Sequence, residues 1–235
     1  VGCVIVREEE EGPRIVGRGW TQPGGRPHAE TEALARAGEL AKGATAYVSL
    51  EPCSHRGKTG PCAEALIKAG IARVVGAVAD PNPEVAGRGF AMLQAKGVEV
   101  VENVCAAEAR HLNAGFFLTM SENRPLVTLK IASSLDGRTA THDGHSQWIT
   151  GEPARADGHR MRAAHDAVMV GVGTIVADDA RLDVRMVDGP NPIRVVVDST
   201  LRTPDDSAVL SHSEGETWLL HRSDAPPGRR AALAR

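Results

Sequence analysis

The sequence predicts an α/β fold in two domains. Three observations carry this. Short apolar runs alternate with helical patterns through the first half, the polar segment ENRP at 122–125 interrupts the chain, and a second apolar block opens directly after it. At 235 residues the chain is long for one compact domain and ample for two, each with its own core.

The elements follow in order. VGCVIV (1–6) and IVGRGW (15–20) read as strands joined by a polar turn through Glu8–Pro13. Residues 28–41 place Ala33, Leu34, Ala37 and Leu40 at helical spacing, with acidic residues in the first turn. ATAYVSLE (44–51) is a strand, and Pro61 opens a helix over CAEALIKAG that Gly70 closes. ARVVGAVAD (72–80) is a buried strand, Gly87–Lys96 a helix, VEVVENV (98–104) a strand and 105–122 helical. Beyond ENRP, LVTLKIASSLDG (126–137) begins a β-rich block. A helix around 152–164 follows, then strands at 167–172, 193–198 and 216–221. The tail PPGRRAALAR carries no finishing element, and no internal repeat is present.

Composition excludes several classes. Hydrophobic residues make up 42%, which supports a globular chain. With 3 Trp, 1 Tyr and 3 Phe, the cores must be built from Val, Leu, Ile and Ala. A net charge of -3 supplies no global attraction to nucleic acid or an acidic membrane. No stretch reaches the roughly 18–20 apolar residues of a membrane span, and VGCVIV runs into Arg7 and four glutamates, unlike a signal peptide. Four cysteines make no disulfide scaffold. Cys3 and Cys105 read as core residues, and a cytoplasmic location is expected.

The chemistry gathers around the other two cysteines. His28-Ala29-Glu30 begins a helix, Cys53 follows a strand and Pro52, and Cys62 follows Pro61 at the next helix start. Three N and S ligands suit zinc and leave a fourth position for water. Zinc lowers the pKa of such a water to about 7 and so supplies hydroxide at neutral pH. A helix N-terminus favours the Cys62 thiolate. Glu30 suits a proton shuttle from water to the ring nitrogen and the departing ammonia. Zinc deaminases carry His-x-Glu followed by Pro-Cys-x-x-Cys; here eight residues, SHRGKTGP, separate the cysteines instead of two. A disulfide, two core cysteines or a structural zinc site are the alternatives, but a structural site usually has four protein ligands and no use for Glu30.

EPCSHRGKTGPC (51–62), with PHAE (27–30) and ADPNPEVAGRG (79–89), resembles the bifunctional riboflavin-biosynthesis deaminase/reductase family. The second half agrees through LKIASSLDGRTA (129–140), GHSQWITG (144–151), HRMRAAHDAVMVGVGTIVADDARLDVR (159–185) and VVVDSTLR (195–202). The resemblance implies a cytidine-deaminase-like three-layer domain over 1–122. A dihydrofolate-reductase-like α/β domain over 123–235, incomplete at its C-terminus, would follow. The first would deaminate a phosphoribosylaminopyrimidine, with Glu30 catalytic and Zn2+ on His28, Cys53 and Cys62. The second would reduce the ribosyl group to ribityl with NADPH. His55, Lys58, Asp80 and Asn82 are implied as deaminase substrate contacts, and Ser146, Arg162, Leu182 and Arg185 as reductase substrate contacts. Ala132, Trp148, Thr174, Asp178 and Ser199 match positions near NADP. GVG (171–173) is not a GxGxxG fingerprint. His142, His145, His159 and His165 are expected to have no ligand role.

The resemblance further implies a helix and an Asn-Pro turn upstream of VGCVIV, and a glycine-rich cofactor loop and an acidic contact downstream of the reductase half. The expected partner is a small phosphoribosyl pyrimidine, with no nucleic acid and no membrane, in a homo-oligomer. Two other readings are a deaminase for a different nucleobase with a non-functional second domain, and a zinc-stabilised binding module.

Overall fold

The computed structural model describes residues 1–55, 60–211 and 215–234. The chain divides into two compact units, Val1–Thr128 and Leu129–Arg235.

The first unit is a five-stranded sheet with helices packed on it. Strands β1 (Gly2–Glu9) and β2 (Gly12–Trp20) form an antiparallel hairpin. Helix α1 (Ala29–Ala37), β3 (Thr45–Val48), α2 (Cys62–Lys68), β4 (Arg73–Gly76), α3 (Arg88–Ala95), β5 (Glu99–Val101), α4 (Ala106–Leu112) and α5 (Ala114–Glu122) follow. The strand order is β2-β1-β3-β4-β5, with β1 antiparallel to β3 and β3, β4 and β5 mutually parallel.

Period-two alternation buries Cys3 and Ile5 opposite Val48 and Ala46. Against that core lie Ala29, Ala33 and Ala37 of α1, Leu66 of α2, and Phe90 and Leu93 of α3. A smaller cluster packs Ala109 and Phe117 of α4 and α5 on Leu50 and Val78.

The seat of α1 depends on two glycines in β2. A Cβ on Gly17 would overlap the Ala33 carbonyl, and one on Gly19 the Ala29 carbonyl. Glycine at both positions lets the alanine face of α1 lie directly on the hairpin. That contact fixes the start of α1, where His28 and Glu30 sit. The helix stops at Ala37, so Leu40 falls in a short 3-10 turn and is 40% exposed instead of facing the core.

The second unit is built on three parallel strands, β6 (Ala167–Gly171), β7 (Ile193–Val197) and β8 (Thr217–Leu220), in that order. Helix α6 (Glu152–Ala163) precedes β6, α7 (Val172–Asp178) leaves it directly, and α8 (Ala208–Ser211) lies between β7 and β8. Val172, Ile175, Leu182, Val196 and Val209 form the core.

Three expectations are corrected here. No strand forms over 126–137 among the described residues; the segment is irregular, with Val127 and Leu129 each 80% exposed and Ile131 62%. Alternating apolar residues make a strand only when a neighbour supplies the hydrogen-bond ladder, and none of the three strands pairs with it. The tail does carry an element, α9 (Pro227–Leu233), which starts on a proline at its first position. Cys105 is exposed in a left-handed turn before α4, not in a core. Cys3 is buried as expected. No described helix is long and apolar enough to cross a membrane.

Candidate metal centre and flanking substrate sites

The parallel strands β3 and β4 deliver the chain to one edge of the first sheet, the edge at which α/β sheets bind ligands. His28 is the extended residue just before α1. Cys53 lies beyond β3, and Cys62 is the first residue of α2, preceded by Pro61.

Their ligand atoms converge. The Cys62 Sγ lies 3.3 Å and the Cys53 Sγ 3.6 Å from His28 Nδ1, and all three atoms fall within 4.8 Å of one another. Tetrahedral zinc with bonds of about 2.3 Å to sulfur and about 2.0 Å to nitrogen separates such ligands by roughly 3.6 Å. Among the described residues this is the single group of three or more His, Cys, Asp or Glu side chains able to hold a metal ion.

The electrostatics suit a cation. The Cys62 thiol hydrogen-bonds the Cys53 sulfur, and the His28 ring and the Cys62 N–H (3.2 Å) add to it, holding Cys53 down to about 4. The same bond to Cys53, together with burial, pushes the Cys62 thiol up. A cation here would replace the shared proton and neutralise two thiolates at once. The bond to Cys53 also raises the His28 imidazole, against the effect of burial.

Glu30 sits in the first turn of α1, is 3% exposed and borders Cys62 and Cys53. Burial raises its carboxyl above the ordinary range. Cys3 lies beneath it in the core, its thiol pushed up by burial and by the Glu30 charge.

Of the expected substrate contacts in this unit, His55 is half-buried, and its Nδ1 has no hydrogen-bond partner among the described residues. Lys58 lies outside the described residues. Asp80 and Asn82 are half-buried on one turn: the Asp80 carboxylate accepts from the Asn82 N–H at 2.8 Å, and Asn82 Oδ1 accepts from the Glu84 N–H at 3.0 Å. Burial raises the Asp80 carboxyl.

Sequence reasoning passed over Glu51. It is 3% exposed and accepts four backbone N–H groups: Asp80 (3.0 Å) and Gly87 (2.9 Å) on Oε2, Gly89 (2.8 Å) and Phe90 (3.4 Å) on Oε1. Nothing in one sequence distinguishes it from a solvated strand end, because its partners are main-chain groups.

In the second unit a compact cluster surrounds Asp183, which is 3% exposed. Its carboxylate pairs with Arg181 (2.6 Å) and Arg185 (2.7 Å), and its main-chain carbonyl accepts from Arg162 at 3.0 Å. The buried His159 accepts the Arg185 N–H on Nδ1, so that nitrogen carries no proton. Burial, then Arg162 and Arg185, lower its pKa. Burial would raise the Asp183 carboxyl, but the Arg185 bond and the flanking arginines hold it below the ordinary range. The Arg162 guanidinium thus reaches a main-chain carbonyl 21 positions away, and the Arg185 guanidinium is paired with the Asp183 carboxylate.

Leu182 adopts a left-handed backbone with its side chain in the core, so only main-chain groups are free to face a ligand. Thr174 lies just beyond β6, with Asp178 one turn further along α7, and Ser199 lies just beyond β7. Gly171 pairs with Val197, so Thr174 and Ser199 share the C-terminal edge of the sheet. Ala132, Ser146 and Trp148 sit on the irregular stretch before α6, where Arg155 stacks on the 66%-exposed Trp148 at 4.4 Å.

Two family models match the chain. Residues 1–78 match the cytidine and deoxycytidylate deaminase zinc-binding region, and residues 125–234 match the RibD C-terminal domain. The riboflavin biosynthesis protein RibD of Escherichia coli is 47% identical over 237 residues, covering 95% of this chain and 63% of that protein. That of Aquifex aeolicus is 45% identical, covering 95% and 62%. A diaminohydroxyphosphoribosylaminopyrimidine deaminase/5-amino-6-(5-phosphoribosylamino)uracil reductase from Thermotoga maritima superposes with a TM-score of 0.85 at 36% identity, covering 97% of this chain and 65% of that chain. Acinetobacter baumannii RibD superposes with a TM-score of 0.82 at 44% identity, covering 99% and 65%. The chain thus spans about three-fifths of the length of the curated relatives it matches. A cytidine-deaminase-like zinc-binding domain is followed by a RibD C-terminal, dihydrofolate-reductase-like one, and over 95% of its length the chain is similar to RibD riboflavin-biosynthesis proteins.

Proposed function

We propose that the protein is a bifunctional enzyme of riboflavin biosynthesis. A deaminase domain over 1–122 would hydrolyse a diaminohydroxy-phosphoribosylaminopyrimidine, and a reductase domain over 123–235 would reduce the ribosyl group to ribityl with NADPH. The observation that carries the reading is the convergence of His28 Nδ1, Cys53 Sγ and Cys62 Sγ beside the buried Glu30.

The residues fit zinc: two sulfurs and one imidazole nitrogen, three ligands with a position to spare. Zinc bound there supplies a Lewis acid that makes water a nucleophile near pH 7. Glu30 takes a proton from the attacking water and passes it to the ring nitrogen. It then takes the remaining proton from the new C–OH group and delivers it to the amine, so that the C–N bond breaks, C=O forms and ammonia departs while the ring nitrogen keeps the first proton. Asp80, Asn82, His55 and Lys58 are the proposed contacts for ribose and phosphate. Purified protein should contain about one zinc per chain, checked by elemental analysis, and chelation should abolish deamination. A metal-free protein that still released ammonia would refute the assignment.

For the reductase, Arg162, Arg181 and Arg185 against the single Asp183 carboxylate leave an excess of two positive charges in that cluster. A phosphate monoester carries about -1.5 to -2 at pH 7. Arg162 and Arg185 are the proposed grip on the ribosyl phosphate, with Ser146 and the Leu182 main chain beside them. Thr174, Asp178 and Ser199 at the sheet edge, with Ala132 and Trp148, are the proposed NADPH contacts; the cofactor supplies the hydride. A charge-assisted bond to arginine contributes about 1.5–3 kcal/mol. Arg185→Ala should therefore raise KM for the phosphorylated pyrimidine roughly 10- to 150-fold and largely spare KM for NADPH. Steady-state kinetics on the full-length enzyme with both substrates varied checks this. A rise confined to the NADPH KM would make Arg185 a cofactor ligand.

The same reading places the enzyme in a homo-oligomer acting on a small molecule.

A further inference from the structure

We infer that Glu51 is a positioning residue for the deaminase: it fixes the substrate turn at 80–82 to the chain that carries Cys53. This rests on the reading of Asp80 and Asn82 as substrate contacts.

The geometry is a clamp. Glu51 and Pro52 directly precede Cys53. Through Oε2, Glu51 holds the N–H of Asp80 at one end of the 80–87 loop and that of Gly87 at the other. Through Oε1 it holds Gly89 and Phe90, the first turn of α3, where the helix favours a negative charge. Both carboxylate oxygens are thereby used, and no described cation pairs with the group. Gly89 closes the arrangement: a Cβ there would overlap the Pro52 carbonyl oxygen. The loop backbone is therefore pressed against the segment one residue from a proposed zinc ligand. Asp80 in turn orders Asn82, and Asn82 orders Glu84, each through a side chain two residues back. Pulling the Asp80 N–H off Glu51 releases the first member of that series.

A buried carboxylate with four N–H donors could serve stability alone. A positioning role predicts more: the cost should appear in substrate binding, and it should pass through Asp80 and Asn82. In Glu51→Gln one oxygen becomes an NH2 group facing two N–H donors, so one arm of the clamp is lost whichever way the amide turns. The variant should keep about one zinc and raise KM for the phosphoribosylaminopyrimidine by about tenfold or more. Its kcat should change by less than about threefold. Residues acting in one network give non-additive effects, so in an Asp80→Ala/Asn82→Ala background the added substitution should shift KM by less than about twofold. If Glu51→Gln does not fold, Glu51→Asp carries the same comparison. It keeps the charge and draws the carboxylate back by one methylene.

The outcomes separate the two claims. Unchanged KM in Asp80→Ala/Asn82→Ala alone would overturn the reading of those residues as substrate contacts, and Glu51's role with it. A raised KM there, combined with a Glu51 effect that is absent, adds in full, falls only on kcat or comes with loss of zinc, would overturn the inference about Glu51 alone.

Discussion

Glu30→Gln is expected to keep zinc and fold while deamination falls by about 10²–10⁴-fold, the usual range for a positioned acid–base group. The amide is nearly isosteric, so the alanine face of α1 and the seat of His28 should be undisturbed. What changes is the proton. Glu30 is 3% exposed, and burial raises its carboxyl above the ordinary range. A carboxylate can accept a proton and the resulting acid can return it, which a shuttle requires. Glutamine can do neither. Ammonia release at saturating substrate, with zinc measured on the same preparation, checks it. Turnover close to wild type with zinc retained would place the proton transfer on another group.

The convergence of His28, Cys53 and Cys62 was legible in the sequence because their spacing coincides with element boundaries. His28 just before a helix, Cys53 after a strand and Cys62 after Pro61 are positions where local chemistry dictates the backbone. The β1–β2 hairpin and the parallel strands read from period and composition for the same reason. What was hidden depends on contacts distant in sequence. Glu51 binds main-chain amides 29 to 39 positions away, which leave no trace in side-chain identity. Gly17 and Gly19 matter only because α1 returns to lie on them. Arg162 bonds the Asp183 carbonyl, a main-chain group 21 positions away. The stretch 126–137 failed in the opposite direction: its alternation satisfies the strand pattern, but pattern alone supplies no ladder partner. Helix α7 was missed because it leaves β6 without a loop, so one apolar run contains both elements.

Cys53→Ser is expected to remove deamination while leaving reduction of an already deaminated substrate in the full-length enzyme. Cys53 holds the centre together from two sides. Its sulfur lies 3.6 Å from His28 Nδ1 and accepts the Cys62 N–H at 3.2 Å. Hydrogen bonds from Cys62 and the His28 ring hold its thiol well below the usual thiol range. A serine hydroxyl keeps the shape and can still accept the N–H, but it does not ionise there and gives zinc a poor third ligand. Outer partners of a metal site alone command about 10–100-fold in affinity or activity, so replacing a direct ligand should exceed that. The reductase should be spared, because the chain separates after Thr128 into two compact units with separate cores, one around Ile5, Leu66 and Leu93 and the other around Ile175, Val196 and Val209. The decisive measurements are zinc content, ammonia release and NADPH oxidation on one preparation, with circular dichroism confirming the fold. A folded Cys53→Ser protein that had lost both activities would mean that the two halves work as one catalytic unit.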